Sequence, residues 1–186
     1  QRCCKLDALC NVLQEIAGRH ANALKVGFFE MQQEQLIWAL SSLRVELRHT
    51  PSWQETIRIR TWVHRMRGPL SFRNFTFHTE DDQILGSAST LWTSVHTLER
   101  KPTRLPFTDF PVRPDDLPPC GEPERLQIPA QIERETTYTV RYSDIDMIGH
   151  VNNVRYLSWL IDTYGSYNLK HQPVRVDINY LGETKL

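Results

Sequence analysis

The sequence contains no extended apolar segment and no excess of either charge. Its longest apolar run, residues 36–40, is far shorter than the roughly 20 residues that a membrane-spanning helix needs. Lysine plus arginine number 22, as do aspartate plus glutamate, so the formal net charge is zero. No general attraction to nucleic acid or to a membrane surface is predicted, and a charged partner would have to meet a local patch.

Cysteine is scarce and forms no recognisable chemical motif. The four cysteines, at positions 3, 4, 10 and 120, make no CxxC pair and no ligand group with histidine. The seven histidines include no HxxxH or HExxH arrangement, and no glycine-rich phosphate loop is present. We therefore expect no metal and no bound cofactor, and we expect a reduced, cytoplasmic location.

The first twenty residues have the pattern of a helix and not that of a signal peptide. They contain no continuous apolar core, and they place Leu6, Leu9, Leu13, Ile16 and Ala17 at helical spacing. We expect this stretch to lie in the middle of a fold, with an earlier strand preceding it in the native chain.

Four segments after this helix alternate apolar and polar residues with the period of a β-strand. They are residues 36–50, 55–63, 72–79 and 84–98, with turn residues at 50–52, 68–69 and 81–82. In the first segment Arg44, Glu46 and Arg48 are predicted to face water. A helix followed by an antiparallel meander is the expected fold of this half.

Eight of the eleven prolines fall between residues 102 and 129. Proline at this density blocks helices and central strands, which predicts an extended crossing between two domains. A strand at 135–146, a helix at 151–165 and a strand at 173–181 are predicted to follow. Because one helix with so few strands cannot bury a core, we expect part of the native chain to be missing at both ends.

The string "RYSDIDMIGHVNN", residues 141–153, lies between that predicted strand and that predicted helix. Asp146 is expected to end the strand and His150 to begin the helix, with Gly149 allowing a close backbone approach to a ligand. Free N–H groups in a first helical turn can stabilise a developing negative charge. A carboxylate facing them can attack a carbonyl or activate a water, and a thioester suits this chemistry because its thiolate leaves easily.

Simpler roles stay open for every residue of the string. Asp144 and Asp146 could each be a turn or capping residue, which is the commoner role of an aspartate before a helix. His150 could make a structural hydrogen bond, and Asn152 and Asn153 are expected to tie the turn to the backbone. Only the complete string, at a junction of strand and helix, favours chemistry.

The segment "DIDMIGHVNNVRYL", residues 144–157, resembles the signature of hotdog-fold thioesterases. The two-part layout, with "LQEIAGRHA", "WALSSLRVELRHTPSWQETIRIRTW" and "LERKPTRLP" in the first part, resembles the acyl-acyl-carrier-protein (acyl-ACP) thioesterases of bacteria and plant plastids. The resemblance implies an α+β fold of two tandem hotdog domains, each a long antiparallel sheet wrapped around a central helix. The implied units are an acyl-binding N-terminal hotdog at 1–101, a proline-rich linker at 102–134 and a truncated catalytic hotdog at 135–186.

The resemblance also implies roles for individual residues. Asp146 would be the nucleophile or general base, and His150 would orient or polarise the substrate. Glu183 would be a catalytic or water-orienting glutamate, although the sequence alone indicates a solvated residue at a strand end. The amides of Gly149 and His150 are expected to hold the oxyanion.

The string departs from the plant-type pattern at one position. Plant-type members carry an asparagine two residues after the catalytic aspartate, where this chain has Ile148, whose side chain cannot hydrogen-bond. This difference argues against any mechanism that needs a side-chain amide there. Thr184 stands where some relatives place a cysteine, so a Cys–His nucleophile has no support.

The predicted function is hydrolysis of fatty acyl-ACP, which releases a free fatty acid and ends chain elongation. The phosphopantetheine arm belongs to the carrier protein, so the protein itself needs no cofactor. Basic stretches at 64–73 and 99–104 could meet the acidic carrier, although ordinary exposed charges would look the same. An acyl-CoA thioesterase and a non-catalytic acyl-binding hotdog stay as alternatives. We expect a monomer or homodimer, with no nucleic-acid partner and no membrane span.

Overall fold

A computed structural model of the protein describes residues 3–106, 111–114, 119–132, 135–168, 174–182 and 184. The helices are α1 (Leu6–Ala23), α2 (Phe28–Gln33) and α3 (Asn153–Asn168), and the strands are β1 (Leu36–Leu47), β2 (Arg58–Arg67), β3 (Leu70–His78), β4 (Ile84–His96) and β5 (Arg175–Asn179). A 3-10 turn covers Tyr142–Asp144. Within these ranges no helix has both the length and the apolar content needed to cross a membrane.

The strands form an antiparallel sheet in the order β2-β3-β4-β1-β5. The meander of the first half is confirmed, as is the strand predicted within 173–181. β1 pairs with β4 on one side and with β5 on the other, so that Leu43 lies opposite both Thr90 and Ile178. The last strand of the chain therefore extends the sheet that the first half builds.

The apolar face of α1 packs against the inner face of the sheet. Leu9 and Leu13 of α1 lie in one buried cluster with Phe75 and Phe77 of β3, and Leu157 of α3 belongs to the same cluster. Each such side chain contributes about 1.5–3 kcal/mol of stability when it is fully buried. The two helices thus share a core.

Helix α2 was not predicted from the sequence, because its six residues are too few to show a helical period. It covers one end of the space between α1 and the sheet. Met31 of α2 is buried against Leu36 and Leu105. The indole Nε1 of Trp38 donates to the carbonyl oxygen of Val26 at 3.0 Å, which ties the link between α1 and α2 to β1.

Arg44 was predicted to face water, and that prediction is wrong because its residue is only 5% exposed. Its Nε donates to Asp177 at 2.5 Å, its Nη2 donates to Glu124 at 2.8 Å, and its Nη1 donates to the Cys120 carbonyl oxygen at 3.2 Å. The neighbouring strand β5 and the proline-rich segment cover this outer position. The alternation of apolar and polar residues along β1 correctly predicted that Arg44 lies on the outer face of the sheet. It could not show that other segments of the chain cover this face.

The proline-rich segment crosses the outer face of the sheet from one edge to the other. At β2 the amide of Arg113 donates to the Val63 carbonyl oxygen at 3.0 Å, and Arg65 contacts Glu122 at 2.9 Å. At β5 the side chain of Asn179 accepts the amide of Leu126 at 2.7 Å. The described parts of this segment form no regular helix or strand, as its prolines predict.

The strand predicted at 135–146 does not form. A strand needs a neighbour for its backbone hydrogen bonds, and no described strand lies beside residues 135–141. This stretch instead lies on α3, where the Tyr138 ring stacks on Trp159 with 5.5 Å between the ring centroids. The Tyr138 hydroxyl also donates to the Trp159 carbonyl oxygen at 2.8 Å.

Candidate active site

The loop before α3 folds back on itself as a tight turn, in which Asp146 is hydrogen-bonded to the backbone of His150. An antiparallel bridge joins Ile145 to Val151. Inside it, the amide of Asp146 donates to the His150 carbonyl oxygen at 2.8 Å, and the amide of Gly149 donates to the Asp146 carbonyl oxygen at 3.1 Å. Gly149 has φ +81°, a left-handed conformation that glycine adopts without strain.

The carboxylate of Asp146 is held by the backbone of this turn. Its Oδ1 accepts the amide of Ile148 at 3.0 Å and the amide of His150 at 3.2 Å. No residue in the described ranges donates to Oδ2. The carboxylate therefore makes the turn contacts that its simpler role predicts, and it still keeps one oxygen for another partner.

The amides of Gly149 and His150 are already hydrogen-bonded, both to Asp146. Helix α3 begins at Asn153, so the prediction that His150 begins the helix is wrong and these amides do not belong to its first turn. Their role toward an oxyanion stays a prediction. It requires them to exchange their bonds with Asp146 for bonds to a substrate oxygen.

Asp144 is a structural residue of the loop and is only 7% exposed. Its carboxylate accepts the Arg141 amide at 2.9 Å and lies 3.3 Å from the Nε of Arg155. Its carbonyl oxygen accepts the Asn152 amide at 2.8 Å. Asn152 in turn accepts the Val154 amide at 2.9 Å, which caps α3 as predicted.

The segment after β5 returns to this loop. The amide of Val151 donates to the Thr184 carbonyl oxygen at 2.9 Å, and the hydroxyl of Tyr180 donates to the Asn153 carbonyl oxygen at 3.2 Å. Glu183, the third predicted catalytic residue, lies outside the described residues. Of the three predicted catalytic residues, the described structure therefore shows two, Asp146 and His150, which are hydrogen-bonded to each other through the His150 amide.

A cavity of about 200 Å³ lies between α1, α2 and the inner face of the sheet. Its apolar wall includes Ala17, Ala21, Val26, Met31, Trp38 and Trp92. Small residues on α1 leave room between the helix and the sheet. Ile148 also lines the cavity although it is 37% exposed, so the Asp146 loop borders the opening.

Two polar residues of β3, Ser71 and Arg73, belong to the same wall. The sequence placed both in the basic stretch 64–73 that could meet an acidic carrier, but they are only 6% and 5% exposed, so they do not lie at the protein surface. The Nη1 of Arg73 donates to His20 Nδ1 at 2.8 Å and to Thr61 Oγ1 at 3.2 Å. Burial lowers the pKa of Arg73 to about 10, so the guanidinium is charged at neutral pH. Burial, followed by the charges of Arg73 and Arg113, lowers the pKa of His20 below its usual value, and the neutral imidazole can accept this bond.

The sheet wrapped over a central helix defines a protein of the hotdog class, and solved structures share it. An acyl-ACP thioesterase from Bacteroides thetaiotaomicron superposes with a TM-score of 0.88 over 99% of this chain and 76% of its own, at 28% identity. The 12:0-ACP thioesterase from Umbellularia californica superposes with a TM-score of 0.80 over 99% of this chain and 77% of its own. Its identity is 21%, so this likeness shows the fold alone.

The family model for the acyl-ACP thioesterase N-terminal domain matches residues 1–108, and the model for the C-terminal domain matches residues 129–186. The chain therefore belongs to the acyl-ACP thioesterase family, which confirms the resemblance.

Curated relatives point the same way. The chloroplastic palmitoyl-acyl carrier protein thioesterase of Cuphea hookeriana is 27% identical over 177 residues, which cover 87% of this chain and 43% of the relative. The chloroplastic oleoyl-acyl carrier protein thioesterase of Coriandrum sativum is 26% identical over 183 residues, which cover 85% of this chain and 48% of the relative. The chain thus spans less than half the length of these relatives.

Proposed function

We propose that the protein hydrolyses fatty acyl-ACP and releases the free fatty acid, which ends chain elongation. One observation carries this proposal. Ile148 lies two residues from Asp146 and also lines an apolar cavity. A carboxylate with one oxygen available therefore lies beside an opening suited to an acyl chain.

The reaction would use the available oxygen of Asp146. This oxygen either attacks the thioester carbonyl carbon directly or takes a proton from a water that attacks it. In the direct route the C–S bond breaks as a mixed anhydride forms with Asp146, and a water then hydrolyses the anhydride, which releases the fatty acid, restores the carboxylate and supplies the proton for the thiolate. In the water route a C–O bond forms, the C–S bond breaks, and the proton passes to the departing thiolate. His150 would polarise the carbonyl, Glu183 would orient the water, and the amides of Gly149 and His150 would hold the oxyanion.

The proposed architecture is a pair of tandem hotdogs, with an acyl-binding unit at 1–101, a linker at 102–134 and a catalytic unit at 135–186. The packing of α3 beside α1 supports two central helices in one core. The pairing of β5 with β1 supports one sheet that continues from the first unit into the second. The cytoplasmic location and the monomeric or dimeric state stay predictions.

The substitution Asp146→Asn tests the role of the carboxylate. Asparagine keeps an oxygen that accepts the two amides but cannot act as a nucleophile or base at neutral pH. We expect kcat on acyl-ACP to fall roughly 100- to 10,000-fold with little change in Tm. The matched control is Asp162→Asn, because Asp162 is an exposed acid on α3 and its replacement should leave kcat unchanged.

Three results would contradict parts of the proposal. Unchanged hydrolysis by Asp146→Asn would remove Asp146 from the mechanism. A wild-type protein that binds acyl groups without hydrolysing them would be an acyl-binding module. A clear preference for the same acyl group on coenzyme A would make coenzyme A the carrier.

A further inference from the structure

The wall of the cavity contains a buried cation that the proposed hydrolysis does not use. Arg73 is only 5% exposed and lies on the face of β3 that also carries Phe75 and Phe77. Among the described residues no carboxylate lies within ion-pair distance of its guanidinium. Arg44, which is equally buried on the other face of the sheet, contacts both Asp177 and Glu124.

Three of the five guanidinium N–H groups of Arg73 have no acceptor in the described protein. The Nη1 group uses its two donors on His20 and Thr61, which leaves those of Nε and Nη2. No fully buried side-chain nitrogen or oxygen in the described ranges is without a hydrogen-bond partner. Nε and Nη2 must therefore keep some open surface, and Arg73 lines the cavity.

The remaining N–H donors of Arg73 need an acceptor, which an oxygen atom would supply. An unpaired cation in an apolar wall is costly, because burial removes its water without supplying an acceptor. His20 accepts one bond but carries no negative charge. The buried hydroxyl of Ser71, two residues along the same strand, lines the same cavity and adds a second polar group.

We propose that Arg73 and Ser71 form a subsite for an oxygen carried by the acyl chain itself, such as a hydroxyl, an oxo group or a second carboxylate. The proposal rests on the proposed thioester hydrolysis and names its substrate class. Acyl groups with such a substituent would be preferred over unsubstituted chains of equal length. A plain chain that reached Arg73 would cover its donors without offering an acceptor.

A matched series of acyl-ACP substrates tests this selectivity. Chains of one length carry no substituent, a hydroxyl, an oxo group or a terminal carboxylate, and kcat/KM is measured for each. We expect at least one oxygenated chain to exceed the plain chain by roughly tenfold or more, which is the effect of one well-placed hydrogen bond to a charged group. The substituent with the highest kcat/KM shows whether the subsite prefers a neutral oxygen or a carboxylate.

Two variants and one control localise the effect. Arg73→Met replaces the cation with an apolar side chain and should remove the preference, with faster turnover of the plain chain and slower turnover of the oxygenated one. Arg73→Lys keeps the charge and should keep part of the preference, even where Arg73→Met folds poorly. Arg60→Met removes an exposed arginine of β2 and should change neither rate.

Binding measured by calorimetry separates this inference from the proposed function. The ligands are N-methyl amides of the plain and oxygenated acids, which place no carboxylate at the thioester position. Tighter binding of an oxygenated amide to wild type, lost in Arg73→Met, supports the subsite even if no thioester is hydrolysed. Equal binding of all amides, or a wild type that favours plain chains, would overturn it.

Discussion

The two oxygens of Asp146 have different surroundings, and this difference makes its structural role compatible with the proposed chemical one. Oδ1 accepts two amides of its own turn. These two bonds to the backbone fix the orientation of the carboxylate without help from other side chains. The position of Oδ2 is therefore fixed as well. An aspartate in a turn can therefore serve as the turn's anchor and as a positioned reactive group.

His20 should make the stability of the protein depend on pH. Its pKa is lowered in the folded state, chiefly by burial, whereas in the unfolded chain it is about 6.5. As pH falls below about 6.5 the unfolded chain takes up the proton first, so the free energy of unfolding decreases. Above that pH the contribution of His20 to stability is fully present.

The measurement is Tm between about pH 8 and pH 5, the range that brackets the titration of histidine. His20→Gln keeps an acceptor for Arg73 but cannot titrate, so its Tm should fall less across this range than that of wild type. His49→Gln, which changes an exposed histidine, should follow the wild-type curve. Parallel curves for wild type and His20→Gln would show that His20 does not carry the effect.

The loop that carries Asp146 depends on the backbone conformation of Gly149. An added Cβ there would meet no atom within 4 Å, so only the left-handed φ of +81° opposes a substitution. Gly149→Ala should cost about 1–2 kcal/mol of stability. It should also lower kcat, by as much as about 100-fold, because the turn aligns the two amides that hold Asp146.

Thermal denaturation and acyl-ACP kinetics measure the two effects of Gly149→Ala. Gly182→Ala is the matched control, because its Cβ also meets no neighbour and its φ lies outside the left-handed region. Near-normal Tm and kcat are expected for this control. A Gly149→Ala protein with wild-type kcat would show that the turn does not position the carboxylate.

Local patterns predicted most elements of this fold, and the misses have physical causes. The strands of the meander alternate clearly because each has one face on α1. The stretch 135–141 has strand-like residues, but a strand also needs a neighbour, which residue patterns do not reveal. Helix α2 is too short to show a period, and its place is set by the burial of Met31.

The site was predictable only in part, for a similar reason. The string around Asp146 has a local signature, since the turn, the glycine and the caps are all close in sequence. Arg44 and Arg73 both look like exposed charges on a strand. Their burial depends on β5, on the proline-rich segment and on α1, which are far away along the chain. A buried charge is thus visible only in the assembled fold.

The second half of the chain has no separate core in the described structure. Val154 and Leu157 of α3 pack with Leu6 and Leu9 of α1, and β5 pairs with β1. The hydroxyl of Ser158 also donates to the Asp7 carboxylate at 3.0 Å. Loss of packing at α3 should therefore lower the stability of the whole sheet. We expect the described chain to unfold as one cooperative unit.

Leu157→Ala tests this cooperativity. Leu157 is completely buried, and its truncation should lower the free energy of unfolding by about 2–5 kcal/mol. Calorimetry should show a single transition at lower Tm. Hydrogen exchange should accelerate together in β3, which belongs to the first half, and in α3 itself, because both open in the same global event.

The control is Leu160→Ala, which shortens a leucine of the same helix that is 42% exposed. Since that side chain is largely in water, the change in stability should stay within roughly 0.5 kcal/mol. If Leu157→Ala speeds exchange in α3 while the amides of β3 keep their wild-type protection, the halves unfold separately. The shared cluster of α1 and α3 would then be an interface between two units instead of one core.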